Sequence, residues 1–107
     1  MIYTKVNLRE FVDCVNELAR ENDIEFEHCN NKYTYIKIEE RDPEIYRGYQ
    51  WGVAYDGIAP ISWGGEYGYP RHAARNLYTE LKREHPKVYT VFWNCQRFRD
   101  LVRDIER

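Results

Sequence analysis

The stretch SWGGEYGYPRHAARNLY, residues 62–78, gathers the residue types best suited to hold another molecule. Glycines flank its aromatic rings, and a proline, two arginines and a histidine follow. Glycine allows a backbone to approach a ligand closely, and Pro70 suits the first turn of a helix, whose free N–H groups favour anions. The stretch therefore predicts a loop that enters a helix, with rings and cations available for binding.

The helix predicted after the glycines carries cations along one side. At 100° per residue, Arg71, Arg75 and Lys82 lie within about 40° of one another. His72 could donate to an anion, and Tyr78 borders both the cationic side and the apolar one. Rings that stack on a base, beside arginines that contact phosphate, would suit a nucleotide. The candidate residues for binding a ligand or a partner are Trp51, Trp63, Tyr67, Tyr69, Arg71, His72, Arg75, Tyr78 and Lys82.

The same residues also admit a purely structural interpretation. The glycines would then only turn the chain, Pro70 would only start the helix, and the cations would form a solvated face whose stems cover apolar surface. Neither the phosphate-binding pattern G-x-x-x-x-G-K-[ST] nor the dinucleotide pattern G-x-G-x-x-G occurs in the sequence. The sequence leaves both interpretations open.

Residues that could perform catalysis or bind a metal are scattered along the chain. His28, His72 and His85 show no H-x-x-x-H spacing, so we expect no zinc site. Adjacent residues of a strand point to opposite faces, so His28 and Cys29 would make a poor base and nucleophile. The carboxylates of a polar connector are expected to be solvated; they are Glu39, Glu40, Asp42 and Glu44. We therefore expect no enzyme, no catalytic residue, no metal and no cofactor.

Composition narrows the class of protein. The chain has 107 residues, of which 43% are hydrophobic and 32% charged, as expected for one compact domain over residues 1–107. A net charge of −2 makes a nucleic-acid-binding module the less expected alternative. Three cysteines without a C-x-x-C pair favour reduced thiols in the cytoplasm, and Cys95 could be either an activated thiol or a core residue. No apolar run reaches the roughly twenty residues of a membrane span, so no membrane association is expected.

The first half of the sequence predicts a helix and a hairpin. Hydrophobic spacing predicts the helix over residues 7–22, with Asn7 as its N-cap. In the hairpin, a two-residue turn would pair Phe26 with Tyr35, whereas a three-residue loop would pair Phe26 with Ile36. We prefer the longer loop, because it brings alternating apolar side chains to one face. That register also pairs Cys29 with Tyr33 and Glu25 with Lys37.

The second half predicts strands around a central helix. YQWGVAY predicts a strand, Asp56-Gly57 a hairpin turn, and IAPISW a returning edge strand, since Pro60 cannot donate to a ladder. The central helix is predicted to run from Pro70 to about residue 85. KVYTVFW, apolar on both faces, predicts an interior strand, and Asn94 is expected to cap a last helix. The order α-β-β-β-β-α-β-α predicts an α+β domain with a mostly antiparallel sheet and helices on one face.

Function is predicted from the aromatic surplus and the lack of catalytic patterns. Tyr, Trp and Arg are the residues most enriched in binding hot spots, so a non-catalytic protein that binds a protein partner is the first hypothesis. In size and composition the chain resembles small accessory proteins of phages and mobile elements, many of which inhibit or sequester a host factor. A binder of a nucleotide or another phosphate-bearing small molecule is the alternative. Pairing of two edge strands at residues 58–63 would also allow a homodimer.

Overall fold

The computed structural model of this protein describes residues 2–28, 30–40, 48–54, 62–63 and 68–107, with backbone alone for residues 40, 50, 54, 62 and 63. In this described part the elements are α1 (Lys5–Glu21), β1 (Phe26–His28), β2 (Asn31–Tyr33), β3 (Tyr35–Glu40), β4 (Tyr49–Ala54), β5 (Ser62–Trp63), α2 (Pro70–Glu84), α3 (Pro86–Trp93) and α4 (Gln96–Glu106). The α+β class and the antiparallel pairing are confirmed. The predicted order is wrong at two places, because the second strand is split and the last strand is a helix.

The first helix begins earlier than its sequence pattern predicts. Its N-cap is Thr4, whose backbone N–H donates to Oδ1 of Asn7 at 2.7 Å and whose hydroxyl donates to the same oxygen at 2.9 Å. The predicted N-cap at Asn7 is therefore wrong, since Asn7 caps the helix from inside its first turn. The predicted apolar face is confirmed, with buried Leu8, Phe11, Val12, Val15, Leu18 and Ala19.

The hairpin adopts neither of the two registers considered. His28 pairs with Asn31 and Phe26 pairs with Tyr33, so the loop is two residues long and starts one residue earlier than the shorter alternative. Asn30 in this loop has a φ of 66°, in the left-handed region that asparagine tolerates. The ladder stops at Thr34, and this break lets Tyr33 and Ile36 both face the core, which an uninterrupted strand would forbid.

The second sheet has the order β3-β4-β5 and confirms the predicted strand at Tyr49. Lys37 lies opposite Gly52, so its predicted pairing with Glu25 is wrong. Ser62–Trp63 pairs antiparallel with β4 at the edge of the described sheet, as predicted. The Asp56-Gly57 turn, Pro60, Cys29 and the connector at residues 41–47 lie outside the described residues.

The central helix α2 is confirmed, whereas the segment after it is not a strand. Pro70 occupies the first turn of α2, and Ala73, Ala74, Leu77 and Leu81 are buried, with Tyr78 half-buried. Pro86 begins α3 instead of only ending α2, because the first turn of a helix needs no N–H donor there. In α3 only Phe92 is fully buried, while Val88 and Tyr89 pack against the core. Their spacing is helical, and it outweighs the strand preference of KVYTVFW.

The last helix starts at Gln96 with Cys95 as its N-cap, so the predicted capping by Asn94 is wrong. Asn94 instead ends α3. The predicted buried face is confirmed for Phe98, Val102 and Ile105, and Leu101 is half-buried. On the outer face, ion pairs join Arg103 to Asp100 at 3.5 Å and Arg107 to Asp104 at 3.7 Å, as the alternating charges indicate.

The core lies between the helices and the inner face of the sheets. Its aromatic centre is Phe98, whose ring centroid lies 5.7 Å from that of Phe11, 5.5 Å from Phe92 and 5.8 Å from Tyr89. α1 packs against β3, and α2 packs against β4, α1 and α4. The Cα radius of gyration is 13.3 Å, close to the roughly 13 Å expected of a compact domain of about 100 residues.

Candidate functional site

The start of α2 presents an exposed aromatic side chain. Tyr69, the N-cap residue, is 67% exposed, and its ring meets the exposed ring of His72 edge-on at a centroid distance of 5.4 Å. Tyr69 also accepts backbone hydrogen bonds at its carbonyl from His72 at 3.1 Å and Ala73 at 3.3 Å. Helix geometry therefore fixes the backbone at this position, while the phenol ring faces solvent.

The two arginines predicted to lie on the cationic side of α2, Arg71 and Arg75, contact the end of α4. Nη2 of Arg75 donates to the carbonyl of Ile105 at 3.2 Å, and Nη1 of Arg71 donates to the carbonyl of Arg107. The last carbonyls of a helix lack partners within it and carry the negative end of its dipole, so two guanidinium groups stabilise them. The arginines predicted to contact a bound phosphate thus donate to carbonyl oxygens of the protein itself.

Tyr3 joins the start of α1 to this arrangement. The guanidinium carbon of Arg71 lies 5.6 Å from the centre of the Tyr3 ring, a cation–π contact. Burial, followed by the nearby Asp104 carboxylate, raises the pKa of the Tyr3 hydroxyl strongly, although Arg71 acts in the opposite sense. The starts of α1 and α2 and the end of α4 therefore meet at one corner.

Exposed apolar side chains flank that corner. Ile2 is 84% exposed and Val6 is 62% exposed, and they stand on either side of Tyr3 in the chain. Together with Tyr69 and His72 they form what we call the corner surface. Exposed tyrosine and aliphatic side chains are groups that protein interfaces commonly bury.

The remaining predicted site residues lie elsewhere. Trp51 is half-buried and donates its indole N–H to Oδ1 of Asn76 at 2.8 Å, linking β4 to the middle of α2. Tyr78 packs against the core, and Nζ of Lys82 lies 5.9 Å from the centre of the Tyr89 ring. The structure thus does not gather Trp51, Tyr78 and Lys82 at the corner surface. The side chain of Trp63, and Tyr67 as a whole, lie outside the described residues, as do Gly64 and Gly65.

A cavity of about 480 Å³ lies at the other end of α2, against the β1–β2 hairpin and the inner face of β3 and β4. Its apolar walls include the buried side chains of Phe26, Ile36, Val53 and Leu81, together with Trp51. Its volume is within the range of small-molecule sites. Of the predicted site residues that the structure describes, Trp51 is the one that lines this cavity.

The polar lining of the cavity is acidic. Glu27 comes from β1, and Glu80 and Glu84 come from the last turns of α2. The other polar lining residues are His28, Asn30 and His85. Sequence reasoning missed these carboxylates, because segments far apart in the chain, namely β1, β3, β4 and α2, supply the walls. The available signal was the spacing of Glu80 and Glu84, which places both on one face of the helix.

The two cysteines whose side chains are described, Cys14 and Cys95, are each at least partly buried. Cys14 is buried, and this burial raises its pKa to about 11, while Arg97 lowers it in part. Cys95 is half-buried and packs against the core. Where side chains are described, no group of three or more His, Cys, Asp and Glu is arranged to hold a metal ion. No helix within the same residues is long and apolar enough to cross a bilayer.

Comparison with known proteins yields no family model, no curated protein and no solved structure that matches this chain. Function is therefore argued from the two sites themselves, the corner surface and the acidic cavity.

Proposed function

We propose that this chain is a non-catalytic binding protein that docks a protein partner on the corner surface. The single observation that carries the proposal is the 67% exposure of Tyr69, a large ring at the start of α2, in a corner where the start of α1 carries the exposed Ile2 and Val6. A tyrosine side chain has only two χ angles, so it loses little conformational entropy when a partner covers it. Such docking is the means by which a small accessory protein would inhibit or sequester a host factor.

Protein docking is favoured over phosphate binding by the positions of the arginines. Arg71 and Arg75 donate to carbonyls of α4, so a phosphate would have to compete with these internal acceptors. The acidic walls of the cavity would repel the same group. Ile2, Val6 and the Tyr69 ring are exposed, so a partner that covers them has to displace water from them.

Quantitative affinity capture tests the proposal with matched double variants. V6S/Y69S removes an exposed valine and an exposed aromatic ring from the corner surface, and V91S/W93S removes the same pair from α3, where Val91 is 38% and Trp93 42% exposed. We expect a partner that the wild type and V91S/W93S both retain and that V6S/Y69S loses by tenfold or more. Circular dichroism first establishes that both variants are folded.

Equal capture by V6S/Y69S and the wild type would reject the corner surface as the docking site. Equal loss in both variants would show only that exposed apolar groups matter in general, which also contradicts the proposal. Retention of a second copy of this chain would identify self-association as the interaction.

A further inference from the structure

We propose that the acidic cavity at the end of α2 binds a small organic cation that carries an aromatic or aliphatic body, such as an arylalkylamine. The inference is independent of the proposed partner docking, because the cavity and the corner surface lie at opposite ends of α2. It follows from the size of the cavity and the charge of its walls.

The shape suits a molecule and not a single ion. A volume of about 480 Å³ exceeds what a hydrated metal would fill, and the lining combines apolar with polar residues. The half-buried Trp51 offers an indole whose N–H is held by Asn76, while Phe26, Ile36 and Leu81, each at most 2% exposed, lie behind the surface and offer little area. The body of the ligand would pack against the Trp51 ring, and burial of apolar surface there would contribute to affinity.

The charge of the walls selects a cation. Three carboxylates line the cavity, and among the described lining residues none carries an ammonium or guanidinium group. The last turn of α2 also ends here, but α3 begins at Pro86 directly after it, so the negative end of one helix dipole and the positive end of the other oppose each other. An aromatic wall attracts a cation through its quadrupole. The carboxylates and the aromatic wall therefore both favour a cation.

Two protein cations stand next to the carboxylates and would compete with the ligand. Arg83 pairs with Glu80 and, at 3.2 Å, with Glu84, and Lys32 lies opposite Glu27 in the hairpin. Both cations are exposed, and exposed ion pairs contribute about 0–1 kcal/mol, so a bound cation can displace them. This competition gives an unusual expectation, which is that removal of Arg83 strengthens binding.

Three probes that share one indole ring isolate the effect of charge. They are tryptamine, which is cationic, tryptophol, which is neutral, and indole-3-acetate, which is anionic. In titrations followed by NMR, we expect tryptamine to change the amide chemical shifts of residues 26–28 and 80–85. We also expect it to bind about tenfold more tightly than tryptophol. Indole-3-acetate should bind more weakly than either.

Variants test whether the named carboxylates cause that preference. E27Q/E84Q should weaken tryptamine binding about tenfold and leave the affinity for tryptophol unchanged. R83A should increase the affinity for tryptamine by about two- to fivefold. D13N/E106Q, which removes two exposed carboxylates outside the cavity, is the control and should change tryptamine affinity less than twofold. All of the substituted positions are on the surface, and circular dichroism checks that each variant is folded.

Several results would overturn the inference. Absence of tryptamine shifts at millimolar concentration would do so, and so would shifts that lie away from the cavity. Equal affinities for tryptamine and tryptophol would show that the site ignores charge. A loss in D13N/E106Q as large as that in E27Q/E84Q would assign the effect to net charge and not to the cavity.

Discussion

Tyr69 and Arg75 stand six positions apart in the same glycine-led stretch, yet their side chains have different surroundings. Tyr69 is largely exposed, and Arg75 is half-buried with a hydrogen bond to the carbonyl of Ile105. Residue type alone does not separate the two, because tyrosine and arginine are equally typical of binding surfaces. What separates them is the end of α4, which supplies acceptors for the arginine and none for the tyrosine ring.

Replacement of Arg75 should therefore cost stability. Arg75→Ala removes a charge-assisted hydrogen bond to a helix end, and we expect the free energy of unfolding to fall by about 1–2 kcal/mol. Tyr69→Ala, at an exposed ring, should change it by less than about 0.5 kcal/mol. Urea unfolding measures both. Equal stability of Arg75→Ala and the wild type would contradict a structural role for this guanidinium group.

The buried thiol of Cys14 predicts a dependence of stability on alkaline pH. Burial raises its pKa to about 11 in the folded state, whereas an unfolded thiol has a pKa of about 8.5. Between these values the folded chain keeps a proton that the unfolded chain releases, so rising pH favours unfolding. The stabilisation is fully present below about pH 8.5 and is lost as the pH approaches 11.

Urea unfolding of the wild type and Cys14→Ala between pH 8 and 11 measures this effect. We expect the wild type to lose stability more steeply with pH than the variant, since tyrosines and lysines titrate in both proteins. Parallel slopes would show that Cys14 does not hold its proton in the folded state.

At the scale of elements, hydrophobic spacing predicted both long helices, because their apolar stripes repeat with a clear helical period. It failed for α3, because Val88, Tyr89, Val91 and Phe92 are β-branched or aromatic and crowd a short segment, although their spacing is also helical. Residues of this kind prefer strands on their own, and only packing of Tyr89 and Phe92 against Phe98 reveals the helix. Tertiary contacts of that kind are not visible in a local pattern.

The hairpin register was missed for a related reason. Alternation assumes an uninterrupted strand, and the break at Thr34 changes which side chains face inward. The break is coupled to α1, whose Asn16 side chain donates to the carbonyl of Ile36 at 2.8 Å and accepts from its N–H at 2.7 Å. One asparagine thus satisfies both backbone groups of Ile36 on a strand edge.

Removal of this bridge should loosen the attachment of β3 to α1. In Asn16→Ala, both backbone groups of Ile36 lose their partner, and we expect the free energy of unfolding to fall by about 2 kcal/mol. Asp13→Ala, an exposed change on the same helix, should cost less than about 0.5 kcal/mol. Denaturant unfolding compares them. Similar stabilities for the two variants would show that the bridge contributes little.

At the scale of the whole molecule, α2 connects two different surfaces. Its start contributes Tyr69 and His72 to the corner surface, and its end contributes Glu80 and Glu84 to the cavity. The sequence singled out Tyr69 and His72, because a proline after glycines and rings has a local signature, but it did not point to Ile2 and Val6. It could not predict the cavity, whose walls come from β1, β3, β4 and α2 and meet only in the folded chain.

The aromatic centre of the core should limit the stability of the whole domain. Phe98 is fully buried among rings of α1 and α3, and Phe98→Ala should cost about 3–5 kcal/mol, a large part of the roughly 5–15 kcal/mol typical of such domains. Val91→Ala, on the exposed side of α3, should cost less than about 1 kcal/mol. Thermal unfolding distinguishes these outcomes. A mild effect of Phe98→Ala would contradict a single core centred on this ring.

Site-specific photo-crosslinking from position 69 tests the central claim most directly. The photoreactive residue p-benzoylphenylalanine replaces Tyr69 in one protein and exposed Thr79, farther along α2, in the control. We predict that a protein partner captured by the wild type becomes covalently joined through position 69 and not through position 79. Crosslinking of that partner from position 79 alone, or from neither position, would contradict docking at the corner surface.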